Sequence, residues 1–320
     1  MLMDYSSALK EKVLPPRKNM VKKGTLDIDV VEATPVVWHD RLMRFEWIRD
    51  EHFGSGYYAN TEGCCYFRFT DMETEAVTPP FAKGFSFGSA HAEGDTMYVF
   101  GVEGASGGQN IYVFRSNDLK NWESCRILTY PDTVTVYNNS VCKGPDGYRM
   151  AIELGGDSEI VGKPFTIFFA VSRDLINWTK MDMCDHVYTR ERYSACPVLR
   201  WCDTDKKYYM IYLEGLPCHR WQPYIVRTAD FVAFELGHKN PIMFFDDNDK
   251  LVQRPGKFTP EQLDYINGAI NCNNSDVDLC EFNGKTVILY SWGNQFGKEF
   301  LAEAEYEGPM NEFLRSFFAD

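Results

Sequence analysis

Four glutamates near the ends of β-like runs are the first residues that could do chemistry. They are Glu46, Glu103, Glu153 and Glu214, and the last three occupy one position of an internal repeat. Carboxyl groups gathered in one cavity can act as proton donor and base, because burial and mutual repulsion separate their pKa values. An architectural role, with each carboxylate accepting backbone hydrogen bonds, is the alternative. We predict Glu153 and Glu214 to be catalytic and Glu46 and Glu103 to bind substrate.

The most polar β-like run is Asn273–Leu279. Because side chains alternate along a strand, Asp276 and Asp278 are expected on one face. Facing a channel, this pair could supply a base, a substrate clamp or ligands for a hard cation such as calcium. A solvated edge is the alternative. We predict Asp276 as a third catalytic residue that stays ionised, Asp278 and Asn274 as substrate-binding residues, and no obligatory metal or cofactor.

Two repeated motifs predict the architecture that would position these residues. Ser116–Trp122 (SNDLKNW) recurs as Ser172–Trp178 (SRDLINW), and in degraded form as Thr228–Phe234 (TADFVAF). A run ending in Glu precedes each copy. Four short strands within about 50–60 residues are typical of a propeller blade. Inner strands beginning near residues 34, 88, 138, 194 and 274 predict a five-bladed β-propeller, with a two-sheet sandwich as the alternative.

A single segment has helical signals. Thr259 as N-cap, Pro260 at the first position and Gln262 at the third predict a short helix in an insertion at 246–270, before the last blade. We therefore predict an all-β single domain over 26–320, preceded by an arm at 1–25.

Composition limits the partners. Lys plus Arg number 33 against 46 Asp plus Glu, for a net charge of -13. Such a chain repels phosphate, so nucleic acids and anionic membranes are not expected partners. Aromatic residues make up 15%, an enrichment that suits strands and ring-stacking surfaces.

The expected location is cytoplasmic. The first 24 residues are basic and lack the apolar core of a signal peptide, and no apolar run is long enough to span a membrane. The ten cysteines are scattered without CxxC spacing. They are expected to be reduced and mostly buried, and a cysteine-rich zinc cluster is not predicted.

With these motifs, the chain resembles the five-bladed propeller glycoside hydrolases, a group that includes arabinanases, β-xylosidases, invertases and levansucrases. The Ser-x-Asp-Leu-x-Asn-Trp turn is their typical outer-strand signature. Ala33–Val37 is similar to the Ala-Asp-Pro-x-Val start of their first blade, and Ala195–Pro197 to the segment that supplies their general acid. The resemblance implies a five-bladed propeller and hydrolysis of a small carbohydrate.

The resemblance does not supply catalytic residues. Where the family carries Asp, Asp and Glu, this chain has Thr34, Asn139 and Ala195 in the alignment of these motifs. The usual positions are therefore replaced, and other carboxylates must act if the protein is a hydrolase.

A carbohydrate substrate would need a wall of polar and aromatic groups. We predict a pocket at the propeller axis, with His91, Asn139, Tyr193 and Asn274 in its wall because they lie near inner-strand starts in four blades. Two further groups are expected to bind substrate: Arg44, which flanks Glu46 and could pair with it, and Trp292, as a stacking surface.

Two other functions remain open from the sequence. Arg190, Arg192, His219 and Arg220 form a local basic group that could bind phosphate, which would favour a glycoside phosphorylase. Surface charge compensation is the alternative for this group. A non-catalytic sugar-binding propeller would explain the replaced acids, and fold alone does not choose among these functions.

Overall fold

The strands form five sheets arranged around one axis. A computed structural model describes residues 19–49, 65–163, 165–217, 220–294 and 298–319. In this part of the chain, the inner strand of each sheet contacts the inner strands of the sheets on either side, and the fifth contacts the first. The predicted five-bladed propeller is confirmed.

Each blade is an antiparallel sheet, and the blades are numbered in the order in which their inner strands follow along the chain. Blade 1 contains β2 Val31–Trp38, β3 Arg41–Ile48 and β4 Tyr66–Asp71; blade 2 contains β5 Phe85–Glu93, β6 Thr96–Glu103, β7 Asn110–Ser116 and β8 Glu123–Thr129; blade 3 contains β9 Val134–Gly144, β10 Gly147–Gly156, β11 Thr166–Ser172 and β12 Trp178–Lys180; blade 4 contains β13 Ser194–Cys202, β14 Lys207–Leu216, β15 Arg220–Thr228 and β16 Glu235–Leu236; blade 5 contains β17 Asn273–Phe282, β18 Lys285–Gly293, β19 Glu299–Tyr306 and the N-terminal β1 Met20–Ile28.

The ring is closed by the N-terminal strand. β1 pairs antiparallel with β19, with Met20 opposite Tyr306 and Ile28 opposite Phe300. The boundary predicted at residue 25 therefore lies inside a strand, and residues 20–25 belong to the propeller rather than to an arm. The reason is pairing: an edge strand leaves unpaired N–H and C=O groups, which β1 satisfies along β19.

The repeated motif folds as the same turn in three blades. In the first copy, Oγ of Ser116 accepts the N–H of Leu119 over 2.9 Å, and Oδ1 of Asp118 accepts the N–H of Asn121 over 2.8 Å. The same two bonds, each from a backbone N–H to a side-chain oxygen, recur at 172–177 and in the degraded copy at 228–233. Local side-chain bonds of this kind specify a turn without help from distant contacts.

The helix in the insertion begins as predicted. It spans Pro260–Gly268, and Thr259 and Gln262 form a capping box. Its buried Ile266 packs in the same hydrophobic cluster as Phe300 of blade 5. Shorter helical pieces are Ser158–Val161 and Met310–Arg315, with 3-10 turns at Asp247–Lys250 and Pro255–Lys257. Among the described residues, no helix has the length and apolar character needed to cross a membrane.

A β-bulge interrupts every inner strand near its start. In blade 1, Val31 pairs with Trp47 and Thr34 with Phe45, which leaves two residues opposite one. The same shift occurs in the other four blades. The first bulge residue has a left-handed backbone in four blades: Glu32 (φ 57°), Phe87 (φ 50°), Cys196 (φ 48°) and Asp276 (φ 49°). Bulges re-aim side chains next to active sites, and here they turn functional groups toward the axis.

Candidate active site

A small cavity lies on the axis, where the inner strands begin. Its volume is about 30 Å³, which is enough for one or two water molecules but not for a sugar ring. It is lined by Glu32, Ala33, Thr34, Gly88, Ser89, Asn138, Asn139, Cys196, Pro197, Val198, Asp276, Val277 and Asp278. All five blades contribute, so this cavity forms the floor of a mouth at the centre of the propeller.

Three carboxyl groups from three blades meet at this floor. Glu32 belongs to blade 1, Glu153 to blade 3 and Asp276 to blade 5. Nδ2 of Asn138 donates to Oε1 of Glu32 over 3.3 Å and to Oε2 of Glu153 over 3.1 Å. The N–H of Cys196 donates to the same Glu153 oxygen over 2.7 Å. We call these five residues the axial acid cluster, and it contains two of the three carboxylates predicted to be catalytic.

Burial raises the pKa of all three carboxyls. For Glu32, burial is the largest cause and the charge of Asp276 the next, and together with Glu153 they raise its pKa to about 8. Burial raises the pKa of Glu153 to about 7, against the hydrogen bonds that it accepts. The pKa of Asp276 is also raised by burial; that this carboxyl stays ionised, as its polar sequence neighbours indicate, stays a prediction. Carboxyl groups in such surroundings can hold a proton near neutral pH.

A guanidinium partly offsets this negative charge. Arg49 follows β3, and its Cζ lies 4.8 Å from the centroid of the Trp47 ring. Its charge lowers the pKa of both Glu32 and Asp276, in opposition to burial. The three acids of the axial acid cluster therefore have a cation beside them that is held against an aromatic ring.

Aromatic side chains border the mouth in a continuous arc. Trp47 contacts Phe87 with ring centroids 4.6 Å apart, and Phe87 contacts Tyr137 at 5.4 Å. The arc continues to Phe165 at 4.7 Å and to Tyr193 at 5.6 Å. These residues stand near the strand ends that face the mouth. Tyr193, predicted to be in the pocket wall, thus lies at the rim rather than in the axial cavity.

A polar layer crosses the axis just beyond the bulges. Oδ1 of Asn139 accepts from Oγ of Ser89 over 2.7 Å, and its Nδ2 donates to the carbonyl of Phe87 over 3.0 Å. Asp278 forms an ion pair with Arg200. Asn139 and Asp278 both line the cavity, as predicted, although each is already bonded to protein groups.

His91 lies further along β5, away from the mouth. Its Nε2 is 3.6 Å from Oε2 of Glu93, and its ring packs edge-on against Tyr148. Burial is the main cause that lowers its pKa to about 4; Glu93 opposes this, while Arg200 and Lys143 add to it. His91 is therefore a neutral group below the axial cavity and not part of its wall.

The stability of the protein should depend on His91 in acid. Because its pKa is lowered when folded, its stabilising contribution is full above the ordinary value of 6.5 and is lost as the pH falls toward about 4. We expect the wild type to lose more unfolding free energy than His91→Asn between about pH 7 and pH 5, by up to roughly 1.4 kcal/mol for each pH unit below the ordinary pKa of 6.5. Urea unfolding of both proteins measures this, and equal losses would show that His91 does not titrate in this range.

Glu214 and Glu103 lie outside the axial acid cluster. Oε2 of Glu214 accepts from the hydroxyl of Tyr212 over 2.9 Å and pairs with Nε of Arg192 at 3.1 Å. Glu103 is exposed at the end of β6, where it accepts from Nδ2 of Asn110 over 2.8 Å. The prediction that Glu214 joins Glu153 and Asp276 in one catalytic group does not fit this geometry.

The position of each glutamate relative to the bulge of its blade explains this difference. Glu153 lies opposite the bulge of its blade, at the position of Gly101 in blade 2 and Tyr212 in blade 4. Glu103 and Glu214 lie two residues later, toward the mouth. The three glutamates that shared one position in the sequence repeat are therefore not equivalent in the structure.

Arg44 and Glu46 pair with each other, as the sequence indicated, but inside the protein. Glu46 is fully buried and also binds Nε of Arg68 over 2.6 Å, while Nη2 of Arg44 lies 3.1 Å from Oδ2 of Asp27. Side chains alternate along β3, so Phe45 packs toward blade 2 and this pair faces the closing strand. Their predicted role in substrate binding is therefore replaced by a structural one.

Trp292 and Asn274 are also directed away from the mouth. Trp292 is fully buried, stacks on Phe300 at 4.2 Å and donates from Nε1 to Oγ1 of Thr25 over 3.0 Å. Oδ1 of Asn274 accepts from Nζ of Lys22 over 3.1 Å. Both side chains contact the closing strand β1 within blade 5, so neither forms the predicted substrate wall.

In the part of the chain that the structure describes, the three arginines of the basic group are engaged in other contacts. The guanidinium of Arg190 donates to backbone carbonyls, including that of Met183 over 2.6 Å, and Arg192 is paired with a carboxylate. Arg220 lies over an aromatic ring, and His219 lies outside the described residues. The arginine contacts favour charge compensation over a phosphate pocket.

Sequence reasoning missed Glu32 because it began the first inner strand at Thr34. The structure shows a signal that could have found it. Glu32 stands two residues before Thr34, just as Asp276 stands two residues before Asp278, and each spacing marks a bulge. A carboxylate two positions before a polar inner-strand residue is the shared pattern.

The chain matches no family model and no curated protein sequence. Solved structures with a similar fold include a BT0996 RGII complex, with a TM-score of 0.62 and 12% identity over 95% of both proteins. A glycoside hydrolase has a TM-score of 0.61 and 12% identity over 97% of this chain and 96% of its own.

An endo-arabinase from Bacteroides thetaiotaomicron has a TM-score of 0.57 and 8% identity over 92% of this chain and 98% of its own. At these identities the likeness concerns the fold. The chain has the five-bladed propeller fold of glycoside hydrolases.

Proposed function

We propose that this protein hydrolyses O-glycosidic bonds in a short oligosaccharide. The observation that carries the proposal is the convergence of carboxyl groups from three blades, Glu32, Glu153 and Asp276, at the floor of one mouth. Glycoside hydrolysis needs an acid to protonate the leaving oxygen and a second carboxylate opposite it. The fold neighbours that are glycosidases add support.

Glu32 and Asp276 are the two groups placed to act on the substrate. Both line the cavity and are only partly buried, and Oε2 of Glu32 has no hydrogen-bond partner among the described residues. We assign Glu32 as the general acid, since its pKa of about 8 keeps it protonated at neutral pH. Asp276 then supplies the ionised carboxylate.

Glu153 is a positioning residue in this mechanism. It is 3% exposed and accepts hydrogen bonds from Asn138 and Cys196, so it is less available to a sugar. Its charge adds to that of Asp276 in raising the pKa of Glu32. Glu153→Gln should therefore move the alkaline limb of the pH–rate profile, which the pKa of Glu32 sets, to lower pH, a change that loss of packing alone would not produce.

The aromatic arc supports a carbohydrate substrate. Phe87, Tyr137, Phe165 and Tyr193 are half-buried at the mouth, and such rings offer apolar area beside polar groups. Because the axial cavity is too small for a sugar ring, the ring must bind above it, between the arc and the acids.

We propose the cytoplasm as the location of the protein. Exposed thiols at Cys125 and Cys184 fit this reducing compartment.

The spacing of the acids predicts the stereochemical course. Glu32 and Asp276 have ligand oxygens within 4.8 Å of each other, whereas inverting enzymes need about 6.5–9.5 Å to admit a water. We therefore expect Asp276 to attack the anomeric carbon while Glu32 protonates the departing oxygen. Glu32 then removes a proton from water, which attacks the same carbon and releases Asp276. Proton NMR of the first product should show retained configuration; inversion would exclude Asp276 as nucleophile.

Product analysis with and without phosphate tests the function itself. The purified protein is incubated with a panel of nitrophenyl glycosides and short oligosaccharides. Free sugar in both conditions supports hydrolysis. Sugar phosphate that forms only with phosphate would identify a phosphorylase, and sugar binding without turnover of any compound in the panel would identify a binding protein; either result overturns the proposal.

A further inference from the structure

We infer that Glu32, Cys196 and Asp276 form a binding site for a thiophilic divalent cation, of which Zn²⁺ is the representative. One ligand atom of each residue lies within 4.8 Å of the other two. A tetrahedral ion that holds its ligands at about 2.0–2.3 Å keeps donor pairs roughly 3.3–3.8 Å apart, so side-chain rotations that draw the three donors together by about 1 Å would bring them to it.

The backbone presents these donors in a matched way. Glu32, Cys196 and Asp276 are each the first residue of the inner-strand bulge in blades 1, 4 and 5, and each has a left-handed backbone near φ 50°. Since the blades are related by rotation about the axis, equivalent positions direct their side chains toward one point. The site is therefore assembled by the fold from three distant segments.

An unsatisfied oxygen points to a missing partner at this place. Oε2 of Glu32 is shielded from solvent and has no hydrogen-bond partner among the described residues. A buried carboxylate oxygen without a donor is costly. Among the described residues, the guanidinium of Arg49 acts on Glu32 and Asp276, and Glu153 adds a third carboxyl, so a divalent cation would neutralise the excess negative charge.

The donor set determines which cation fits. Calcium and magnesium prefer oxygen ligands only, whereas zinc accepts a thiolate together with carboxylates. Burial and the neighbouring carboxyls keep the pKa of Cys196 well above its usual range, so its thiol is protonated and zinc binding must release that proton. Three protein ligands leave a fourth position for water, and the cavity of about 30 Å³ has room for one ion and one water.

Zinc would compete with the proton and with the substrate. Bound to Glu32 and Asp276, it would remove both the acid and the free carboxylate, so hydrolysis should be inhibited reversibly. This consequence rests on the proposed function, whereas the binding itself does not.

Metal binding to the whole chain tests the site. After treatment with a chelator, the wild type should bind one Zn²⁺ by titration calorimetry and no Ca²⁺, and Co²⁺ should give the near-ultraviolet thiolate charge-transfer band. Cys196→Ser should abolish the band and weaken Zn²⁺ binding at least about tenfold. Cys125→Ser, which removes an exposed thiol on β8, should change neither.

Glu32→Gln is a second variant that keeps the thiol and should also weaken Zn²⁺ binding, so the test does not depend on one variant folding. Absence of Zn²⁺ binding to the wild type, or unchanged affinity and band in Cys196→Ser, overturns the site. Zinc binding without glycosidase activity would keep the site and overturn the proposed function. Glycoside hydrolysis by a protein that binds no Zn²⁺ and is not inhibited by it would keep the proposed function and overturn the metal site.

Discussion

Glu32→Gln should lower kcat/KM for glycoside hydrolysis by about a hundredfold to ten-thousandfold, the usual contribution of a general acid. The amide keeps the shape of the side chain and removes its proton. The loss should be smaller for nitrophenyl glycosides than for oligosaccharides, because a nitrophenolate departs without protonation. A uniform loss on both kinds of substrate would contradict the role of Glu32 as the acid.

Asp276→Asn should lower the rate by a comparable factor, but on both kinds of substrate, since the second carboxylate is needed whatever the leaving group. Glu123→Gln and Asp203→Asn are matched controls: both carboxylates are exposed and lie on the surface, paired with Arg115 and Lys206. They should keep wild-type rates. If both site variants fold and hydrolyse as fast as these controls, the catalytic assignment is wrong.

The fold could be predicted because its signals are local. The turns at Ser116–Asn121 and Ser172–Asn177 are specified by their own side chains, so their repetition reports the blade period directly. The helix at Pro260–Gly268 carries its own cap in Thr259. Such interactions need no knowledge of distant contacts, and periodicity then counts the blades.

The site could be predicted only in part because bulges shift the register. Asp276 and Glu153 were found as acids on predicted strands, but the alignment that joined Glu153 with Glu214 matched the glutamates themselves, which stand at different distances from the bulges of their blades. The positive φ of Glu32 has no signature in the sequence, since glycine is the usual occupant of that region, so only the spacing that Glu32 and Thr34 share with Asp276 and Asp278 could have indicated it. The thiol of Cys196 joins the cluster only when blades 1, 4 and 5 meet on the axis, which no cysteine spacing reveals.

Other residues were misplaced because both faces of a blade are covered by neighbouring blades. Alternation along a strand then separates two buried faces instead of a buried and an exposed one. Glu46, Asn274 and Trp292 looked available to a ligand, yet each belongs to a buried contact network involving the closing strand β1. Most of that strand, residues 20–25, was expected to lie in an arm outside the propeller, so its partners could not be recognised.

The ion pair of Glu46 should have a large effect on the stability of the protein. Glu46 is fully buried between Arg44 and Arg68, and Arg44 also reaches Asp27 on the closing strand. Removing one member of a buried pair leaves a charge that neither water nor a partner solvates. Glu46→Gln should therefore lower the unfolding free energy by about 3–5 kcal/mol.

Urea unfolding measures this loss as a lower midpoint with an unchanged slope. Glu123→Gln is again the control, because the side chains of both Glu123 and Arg115 are exposed. Such surface ion pairs contribute about 0–1 kcal/mol to the unfolding free energy. Replacing Arg44 and Glu46 together by Met removes both charges of the pair and should recover part of the loss, since a buried pair exchanged for apolar groups is often neutral. A loss below about 1 kcal/mol in Glu46→Gln would show that Asp27 and solvent suffice for the two arginines, and that the pair does not hold β1 against blade 1.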